Sequence, residues 1–277
     1  MRYDYTTIGH VTVDELPDGT RRPGGGAFYS ALQASRLGLR TLVVTRGVPD
    51  EIAELTATFA AEIDLRVEPA AATTVLATRA LTGPRDQRVV SWAGPMAARP
   101  TVDSRIVHFA PVAAECPATC SGACAFVAFT PQGVTRRWGP DGRFAHTRAP
   151  GRFVPLARRC DAIVLNAREL PHCAALVGAA REAGAVIAVT DESGPARVIT
   201  GDAEHTVAAA RVDAPVDDLG AGDVYAAALF TELAAGLDVL AAARFASAAA
   251  ALRVAGAGAR AVPSRPEIGR ALSSAEG

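Results

Sequence analysis

The sequence predicts an α/β protein with three layers, in which helices cover both faces of a mostly parallel β-sheet and a small antiparallel β lid is added. Short apolar runs alternate with longer Ala- and Leu-rich stretches of helical spacing, which is typical of a parallel sheet with crossover helices. Two polar, turn-rich stretches, at about 11–27 and 73–95, break this alternation and are the expected lid segments. With 277 residues, 49% of them hydrophobic, we expect one domain over residues 1–277.

The elements of the α/β body follow from the apolar runs in chain order. The expected strands are Tyr5–Ile8, Thr41–Thr45, Ile106–Phe109, Ala125–Phe129, Ala162–Leu165 and Val186–Thr190. The expected helices are Phe28–Leu37, Asp50–Ala61, Ala167–Ala183, Val224–Ala235 and Val239–Val254. In the second lid segment, residues 75–81 and 87–93 flank a turn at 82–86, which predicts an antiparallel hairpin. The basic stretch 136–152 is expected to be a surface loop; alternatively, one of its arginines reaches a phosphate.

Composition excludes several kinds of partner. The chain has 28 basic and 29 acidic residues, which gives no electrostatic footprint for nucleic acid or an anionic membrane surface. No apolar run reaches the roughly 18 residues of a membrane span, and the N-terminus lacks a signal-peptide core, so we expect a cytoplasmic enzyme. Cys116, Cys120 and Cys124 do not have the spacing of a CxxC metal site, so reduced thiols are expected.

The strongest functional signal is the glycine turn, which we define as Asp217–Asp223 with the sequence Asp-Asp-Leu-Gly-Ala-Gly-Asp. An apolar, helix-forming run follows it directly, so the segment Gly220-Ala221-Gly222 lies where a loop becomes a helix. The first N–H groups of a helix lack partners within the helix, and the dipole is positive there. Glycines also let the backbone approach an anion closely. The segment therefore predicts a site for a phosphate or a developing oxyanion.

Asp223 is the candidate catalytic base. An acid beside a phosphate site would repel the phosphate, and its presence is better explained if it takes a proton from an attacking hydroxyl. An ordinary first-turn helix cap is the simpler interpretation of the same residue. Phosphoryl transfer requires positioning, charge neutralisation and a base. The sequence has no GxxxxGK[ST] motif, and its Gly-Ala-Gly is not GxGxxG after a first strand, which argues against a P-loop or dinucleotide-binding enzyme.

Four motifs, in order, resemble the PfkB (ribokinase-like) carbohydrate kinase family, and the resemblance covers nearly the whole chain. They are Pro23–Gly38, Asn166–Glu169, the glycine turn and Arg244–Pro263. The resemblance implies a ribokinase-like fold and an ATP-dependent phosphotransferase that acts on a hydroxyl of a small polyol, sugar, cyclitol or nucleoside. It also implies Mg²⁺, could include K⁺, and suggests a monomer or a homodimer formed through the lid.

The resemblance assigns roles to individual residues. It implies Asp223 as the base, the N–H groups of Gly220, Ala221 and Gly222 as an anion hole, and Asp14 as the acceptor of hydrogen bonds from substrate hydroxyls. It further implies substrate contact by Gly24 and Gly25, and nucleotide contact by Thr190, Gly194 and Ser247. For metals, it implies that Asn166 and Glu169 place Mg²⁺ through water. It also implies that a monovalent cation could be held by Asp217 and the carbonyls of Leu219 and Val254.

Three positions depart from the family pattern. Tyr29 stands where the family usually has a sugar-contacting Asn, and it could form a stacking wall for a substrate or simply pack under the lid. Asp218 replaces a Thr, and Thr190 is followed by Asp191-Glu192 with the glycine delayed to Gly194. These changes keep open a catalytically weak, PfkB-like ligand-binding or regulatory protein as the alternative. The segment Phe129–Gly133 resembles a variant found near inositol kinases and favours a cyclitol acceptor.

Overall fold

The computed structural model of the protein describes residues 2–83 and 86–275, which form fifteen strands and eight α-helices. The strands are β1 (Tyr3–Ile8), β2 (Thr12–Glu15), β3 (Arg21–Gly24), β4 (Thr41–Gly47), β5 (Asp64–Pro69), β6 (Val75–Thr78), β7 (Gln87–Ser91), β8 (Ser104–Phe109), β9 (Phe126–Phe129), β10 (Arg136–Trp138), β11 (Phe144–His146), β12 (Ala162–Asn166), β13 (Val186–Asp191), β14 (Gly194–Thr200) and β15 (Ala203–Val207). The helices are α1 (Gly26–Arg36), α2 (Pro49–Thr56), α3 (Gln132–Thr135), α4 (Val154–Ala157), α5 (Ala174–Glu182), α6 (Ala221–Ala234), α7 (Val239–Val254) and α8 (Arg265–Ala275).

A nine-stranded sheet forms the centre of the molecule, in the order β15-β14-β13-β12-β9-β8-β1-β4-β5. Every neighbouring pair from β13 to β5 is parallel, whereas β14 and β15 add an antiparallel edge. All six strands expected from the sequence lie in this sheet. Their apolar runs are buried on both faces, as in other parallel sheets. The predicted mostly parallel sheet is therefore confirmed.

Two hydrophobic clusters lie on opposite faces of the sheet and give three layers. One cluster joins the sheet to α1, α6 and α7 through buried side chains that include Phe28, Phe230 and Phe245. The other joins it to α4 and α5 and includes Leu156 and Leu176. Alanines fill much of α6 and α7 where the two helices pack against each other, because small side chains allow close approach. The three-layer α/β/α prediction is confirmed. Among the described residues, no helix has the length and apolar character needed to cross a bilayer.

The lid is a separate four-stranded sheet in the order β3-β2-β6-β7. It consists of two antiparallel hairpins, β2–β3 and β6–β7, which are joined by a parallel β2–β6 pair. The hairpin expected in the second lid segment is thus present. Part of its predicted turn, Pro84 and Arg85, lies outside the described residues.

The stretch 136–152 is not a surface loop throughout, which corrects the sequence-based expectation. Its first part forms the hairpin β10–β11, and this hairpin supports the lid: Val89 N–H of β7 donates to the Gly142 carbonyl at 2.8 Å. Trp92, just after β7, packs edge-to-face on Trp138 of β10 with ring centroids 5.5 Å apart. The contacts with the lid, which the local sequence does not reveal, give this segment its structure.

The helix expected over Ala167–Ala183 begins later than predicted. Residues Leu170–His172 form a short 3₁₀ turn, and α5 begins at Ala174. Pro171 has no N–H and restricts the residue before it, so the α-helix cannot run through this segment. The five cysteines are free, and all but Cys124 are buried.

Candidate active site

The glycine turn leads directly into α6. Gly220 has φ +79°, and a Cβ at this position would lie 2.3 Å from the Tyr29 ring, so both the backbone conformation and the space require glycine. Gly222, in contrast, is exposed, and no atom lies within 4 Å of the place where its Cβ would be. The turn is therefore packed on one side and open on the other.

The backbone of the turn has one amide already in use. Ala221 N–H donates to the Asp218 carbonyl at 3.1 Å, and Val224 N–H donates to the Gly220 carbonyl at 2.9 Å. Because the Ala221 N–H is engaged, the anion hole expected from the N–H groups of Gly220, Ala221 and Gly222 is reduced to those of Gly220 and Gly222. An anion at this position would also face the positive end of the α6 dipole.

Two carboxylates meet at the glycine triplet Gly24–Gly26, which leads into α1. A Cβ on Gly24 would lie 2.2 Å from Asp14 Oδ2, and a Cβ on Gly26 would lie 2.7 Å from Asp223 Oδ1. Gly24 and Gly26 are two residues apart, so their Cα atoms are separated by at most about 7 Å. The structure therefore brings Asp14 and Asp223 to one short segment, although they lie near opposite ends of the chain.

The two carboxylates differ in exposure. Asp14 is 3% exposed, lies in the lid strand β2 and accepts a hydrogen bond from Thr12 Oγ1 at 2.9 Å. Asp223 is half-buried in the first turn of α6, and its backbone carbonyl accepts a hydrogen bond from Ser30 Oγ at 3.2 Å. Gly25, between the two contacts, has φ +89° and faces the His10 carbonyl.

Tyr29 lies behind the glycine turn. Its side chain is 1% exposed, its ring packs on Gly220, and the Arg253 guanidinium carbon lies 5.2 Å from the ring centroid. Burial raises the pKa of its phenol, and the charge of Arg253 opposes this shift. The position supports the turn from within the core; contact of the ring with a substrate stays a prediction.

Asn166 and Glu169 hold each other at the carboxyl end of β12. Asn166 Nδ2 donates to Glu169 Oε1 at 2.9 Å, and Glu169 N–H donates back to Asn166 Oδ1 at 2.9 Å. Glu169 is 3% exposed; burial raises its carboxyl pKa, against the hydrogen bonds from Asn166. Among the described residues, no group of three or more His, Cys, Asp or Glu could hold a metal. These residues fit a Mg²⁺ ion that arrives on donor phosphates and keeps its waters, since Mg²⁺ dehydrates reluctantly.

The residues expected on the nucleotide side fall on two elements. Thr190 pairs with Asn166 across β12 and β13, and Gly194 begins β14 in the same hairpin as Thr190. The turn between them holds Glu192 at φ +46°, where its carboxylate forms an exposed ion pair with Arg168 at 2.6 Å. Ser247 is buried on α7, which packs against α6 and β15.

The oxygens expected to hold a monovalent cation do not fit a metal ion, which corrects the prediction for Asp217, Leu219 and Val254. The Leu219 carbonyl accepts a hydrogen bond from Arg253 Nη2 at 2.6 Å, and the Val254 carbonyl accepts one from Val216 N–H at 2.9 Å. Asp217 Oδ2 is 2.8 Å from Arg22 Nη1 and 3.2 Å from Arg253 Nη2. Two guanidinium groups and the backbone N–H groups of Val216, Asp217, Leu219 and Gly258 thus engage these oxygens.

Sequence reasoning missed Arg253 and Gly26. In the sequence, Gly26 is part of the motif Pro23–Gly38, and no local pattern shows that it faces Asp223. Arg253 lies inside the Ala-rich run of α7 and is 0% exposed, whereas Arg244 of the same helix is exposed. A buried arginine requires partners, but those of Arg253 in the glycine turn, Asp217 and Leu219, lie 36 and 34 residues earlier in the chain, so no local pattern indicates them.

Comparison with known proteins gives a profile match for part of the chain and several similar folds. Residues 156–266 match the sequence profile of the pfkB family carbohydrate kinases, and no curated protein matches the chain in sequence. In structure, the chain is similar to a pyrophosphate-dependent kinase of the ribokinase family complexed with a pyrophosphate analog and myo-inositol, with 20% identity, a TM-score of 0.77, and 96% of this chain and 99% of the other covered.

Two further solved structures share the fold. Arabidopsis thaliana ribokinase complexed with ribose and ATP has 18% identity and a TM-score of 0.73, over 98% of this chain and 99% of the other. The Methanocaldococcus jannaschii nucleoside kinase has 16% identity and a TM-score of 0.74, over 98% of each chain. The chain therefore has the ribokinase-like fold, and its residues 156–266 match the profile of the pfkB family carbohydrate kinases.

Proposed function

We propose that the protein is a small-molecule kinase that transfers the γ-phosphate of ATP to a hydroxyl of a small polyol, sugar, cyclitol or nucleoside. The observation that carries the proposal is the meeting of Asp14 and Asp223 at the glycine triplet, beside the open side of the glycine turn. An acceptor held there would have one carboxylate to bind its hydroxyls and a second to remove a proton.

Asp223 is the proposed base. Its place in the first turn of α6 favours the ionised carboxylate, because the helix dipole is positive at that end. The ionised group takes the proton of the acceptor hydroxyl as the oxygen attacks phosphorus. Negative charge on the transferred group then lies against the amides of the glycine turn, which are fixed before the reaction begins.

Asp14 is proposed to accept hydrogen bonds from the substrate hydroxyls, and Gly24 and Gly25 let the substrate lie against the backbone. A carboxylate can accept hydrogen bonds from two neighbouring hydroxyls, which suits a diol. Asn166 and Glu169 would hold the waters of a Mg²⁺ ion, which when bound would neutralise phosphate charge. Thr190, Gly194 and Ser247 are proposed for the nucleotide side. The printed names of the structural neighbours, which include kinases complexed with myo-inositol or ribose, support a hydroxylated acceptor.

The first experiment is a phosphotransfer panel. Myo-inositol, ribose, fructose and adenosine are each incubated with Mg²⁺ and either ATP or pyrophosphate, and products are detected by ³¹P NMR. We expect transfer from ATP, with a cyclitol as the first acceptor to test. Transfer from pyrophosphate alone would overturn the donor assignment. Tight ligand binding with no turnover on any acceptor would favour the weakly catalytic binding protein.

The second experiment tests the base. Asp223→Asn keeps the size of the side chain but cannot take a proton, so kcat should fall by about 10²–10⁴-fold while donor binding and the melting temperature are kept. Asp213→Asn is the matched control, because Asp213 forms an exposed ion pair with Arg211 and lies outside the site. Undiminished turnover by Asp223→Asn would show that the base is misassigned.

A further inference from the structure

We propose that the guanidinium group of Arg253 is a built-in monovalent cation that holds the glycine turn, so that the protein does not depend on K⁺ or another added ion. Arg253 lies near the end of α7, and its side chain is fully buried beneath the turn. A buried charge of this kind is costly unless several groups compensate it.

The oxygens around the guanidinium are those that a cation would take. Nη1 donates to the carbonyls of Asp217 at 3.1 Å and Gly256 at 3.0 Å, and Nη2 donates to the carbonyl of Leu219 at 2.6 Å. Nη2 also lies 3.2 Å from the Asp217 carboxylate. Three backbone carbonyls and one carboxylate form a hard oxygen set, and carbonyl oxygens are what replaces the hydration shell of K⁺ in proteins.

Charge balance supports the same conclusion. The Asp217 carboxylate is fully buried and already faces two arginines, since Arg22 Nη1 of the lid strand β3 lies 2.8 Å from its Oδ2. Burial alone would raise the pKa of Asp217, but the hydrogen bond from Arg22 and the charge of Arg253 outweigh burial and hold the pKa below its usual value. A third cation at this carboxylate would add positive charge to a cluster that already carries an excess.

The contact with Leu219 also has a consequence for the anion site. In a trans peptide the C=O and the following N–H point in opposite directions. Because Arg253 holds the Leu219 carbonyl, the N–H of Gly220 is directed away from the guanidinium and the buried side of the turn. Arg253 is in this sense a positioning residue for the anion hole, and this step rests on the proposed kinase function. The cation independence of the fold does not rest on it.

The first test uses the unmodified protein. Thermal unfolding is followed in KCl, NaCl and tetramethylammonium chloride at equal ionic strength. We expect the three melting temperatures to agree within about 1 °C, because a ligand that binds only the folded state would raise one of them. A higher melting temperature in KCl, by several degrees, would overturn the proposal without any assay of turnover.

The second test removes the internal cation. Arg253→Ala should lower the melting temperature by about 10 °C, since it leaves Asp217 and three carbonyls without their buried partner. K⁺ or a low concentration of guanidinium ion should restore part of this loss, whereas tetramethylammonium, which is too large, should not. If kinase activity is established, its loss and rescue should follow the same order of ions.

Arg265→Ala is the matched control. Arg265 is also ion-paired, to Glu232, and its guanidinium also lies over an aromatic ring, that of Phe245 at 5.3 Å. Arg265 does not hold the glycine turn, so no particular cation should restore the melting temperature that Arg265→Ala loses. Arg253→Lys, which keeps a charge at the site, serves if Arg253→Ala does not fold. Its melting temperature should exceed that of Arg253→Met, and equal values for these two variants would contradict the proposal.

Discussion

Gly26 begins α1, and a Cβ at this position would lie 2.7 Å from Asp223 Oδ1. Real Cβ atoms do not approach an oxygen this closely, so one of the two groups would have to move. Asp223 has a short side chain and lies on a rigid helix, so its carboxylate would have to rotate. The lack of a side chain at Gly26 of α1 therefore helps to keep the carboxylate of Asp223, on α6, in its position.

Gly26→Ala should lower kcat by about 10²-fold or more, because displacement of a catalytic group by about 1 Å is enough for a loss of that size. Steady-state kinetics with the acceptor identified from the panel measures the effect. The matched control is Gly178→Ala in the middle of α5, where a Cβ would meet no atom within 4 Å. That variant should keep its activity and gain about 0.5–1 kcal/mol of stability. Full activity in Gly26→Ala would contradict the placement of Asp223.

At the scale of residues, local sequence was sufficient for the glycine turn and insufficient for what surrounds it. Gly220 and Asp223 lie within one contiguous loop-to-helix segment, whose anion-binding character follows from helix physics alone. The meeting of Asp14 with Asp223 depends on how distant segments pack. So does the role of Arg253, because a single arginine in an Ala-rich helix has the same local pattern whether it faces solvent or a buried turn.

At the scale of elements, α7 shows how a boundary can be read from local chemistry. The sequence predicted a helix over Val239–Val254, and the structure has the same bounds. Asp238 is its N-cap: Oδ1 accepts hydrogen bonds from the N–H groups of Leu240 at 3.0 Å and Ala241 at 3.1 Å. Both are first-turn donors that no carbonyl within the helix can satisfy.

Asp238→Ala should therefore cost about 1 kcal/mol of folding free energy, which corresponds to a fall of about 2–4 °C in melting temperature for a chain of this size. Chemical denaturation gives the first value and a thermal scan the second. Asp202→Ala is the control, because Asp202 forms an exposed ion pair with Arg181 and such pairs contribute little. Equal losses in the two variants would show that the cap contributes nothing beyond a surface charge.

Other elements could not be read in this way. The edge strand β15 carries mostly exposed side chains, and the edge strand β5 has no fully buried residue; both are strands because a neighbour offers them hydrogen bonds. The hairpin β10–β11 likewise depends on its contact with the lid. Six of the seven inner strands, all except β14, were predicted, because burial on both faces makes their sequences apolar whatever their neighbours are.

At the scale of the whole molecule, the buried imidazole of His108 ties stability to pH. His108 lies in β8, where its Nδ1 is hydrogen-bonded with the Tyr5 hydroxyl at 3.1 Å and its Nε2 with Thr130 Oγ1 at 3.0 Å. Burial lowers its pKa to about 3 in the folded state, against about 6.5 in an unfolded chain. Between these values the unfolded state binds more protons. The free energy of unfolding therefore falls as the pH falls below about 6.5, by at most about 1.4 kcal/mol per pH unit for this group.

Denaturant unfolding at pH 7 and pH 5 tests this dependence. The unmodified protein should lose about 2 kcal/mol more than His108→Gln over this interval, because the variant has no imidazole to protonate. The comparison of losses cancels the direct cost of the substitution and the titration of carboxylates common to both proteins. Equal losses in the two proteins would show that His108 is not the group responsible.

The contacts between the lid and the body of the molecule include the β10–β11 hairpin, the ion pair of Arg21 in β3 with Glu51 in α2 at 3.0 Å, and the glycine turn, where Asp218 N–H donates to the Leu81 carbonyl at 2.8 Å. The first of these contacts contains both tryptophans of the chain, Trp92 and Trp138, in edge-to-face contact. The intrinsic tryptophan fluorescence of the protein therefore originates at the lid and its support, whereas circular dichroism reports mainly on the sheet and helices. Measured together on one unlabelled sample, the two signals distinguish separation of the lid from unfolding of the α/β body.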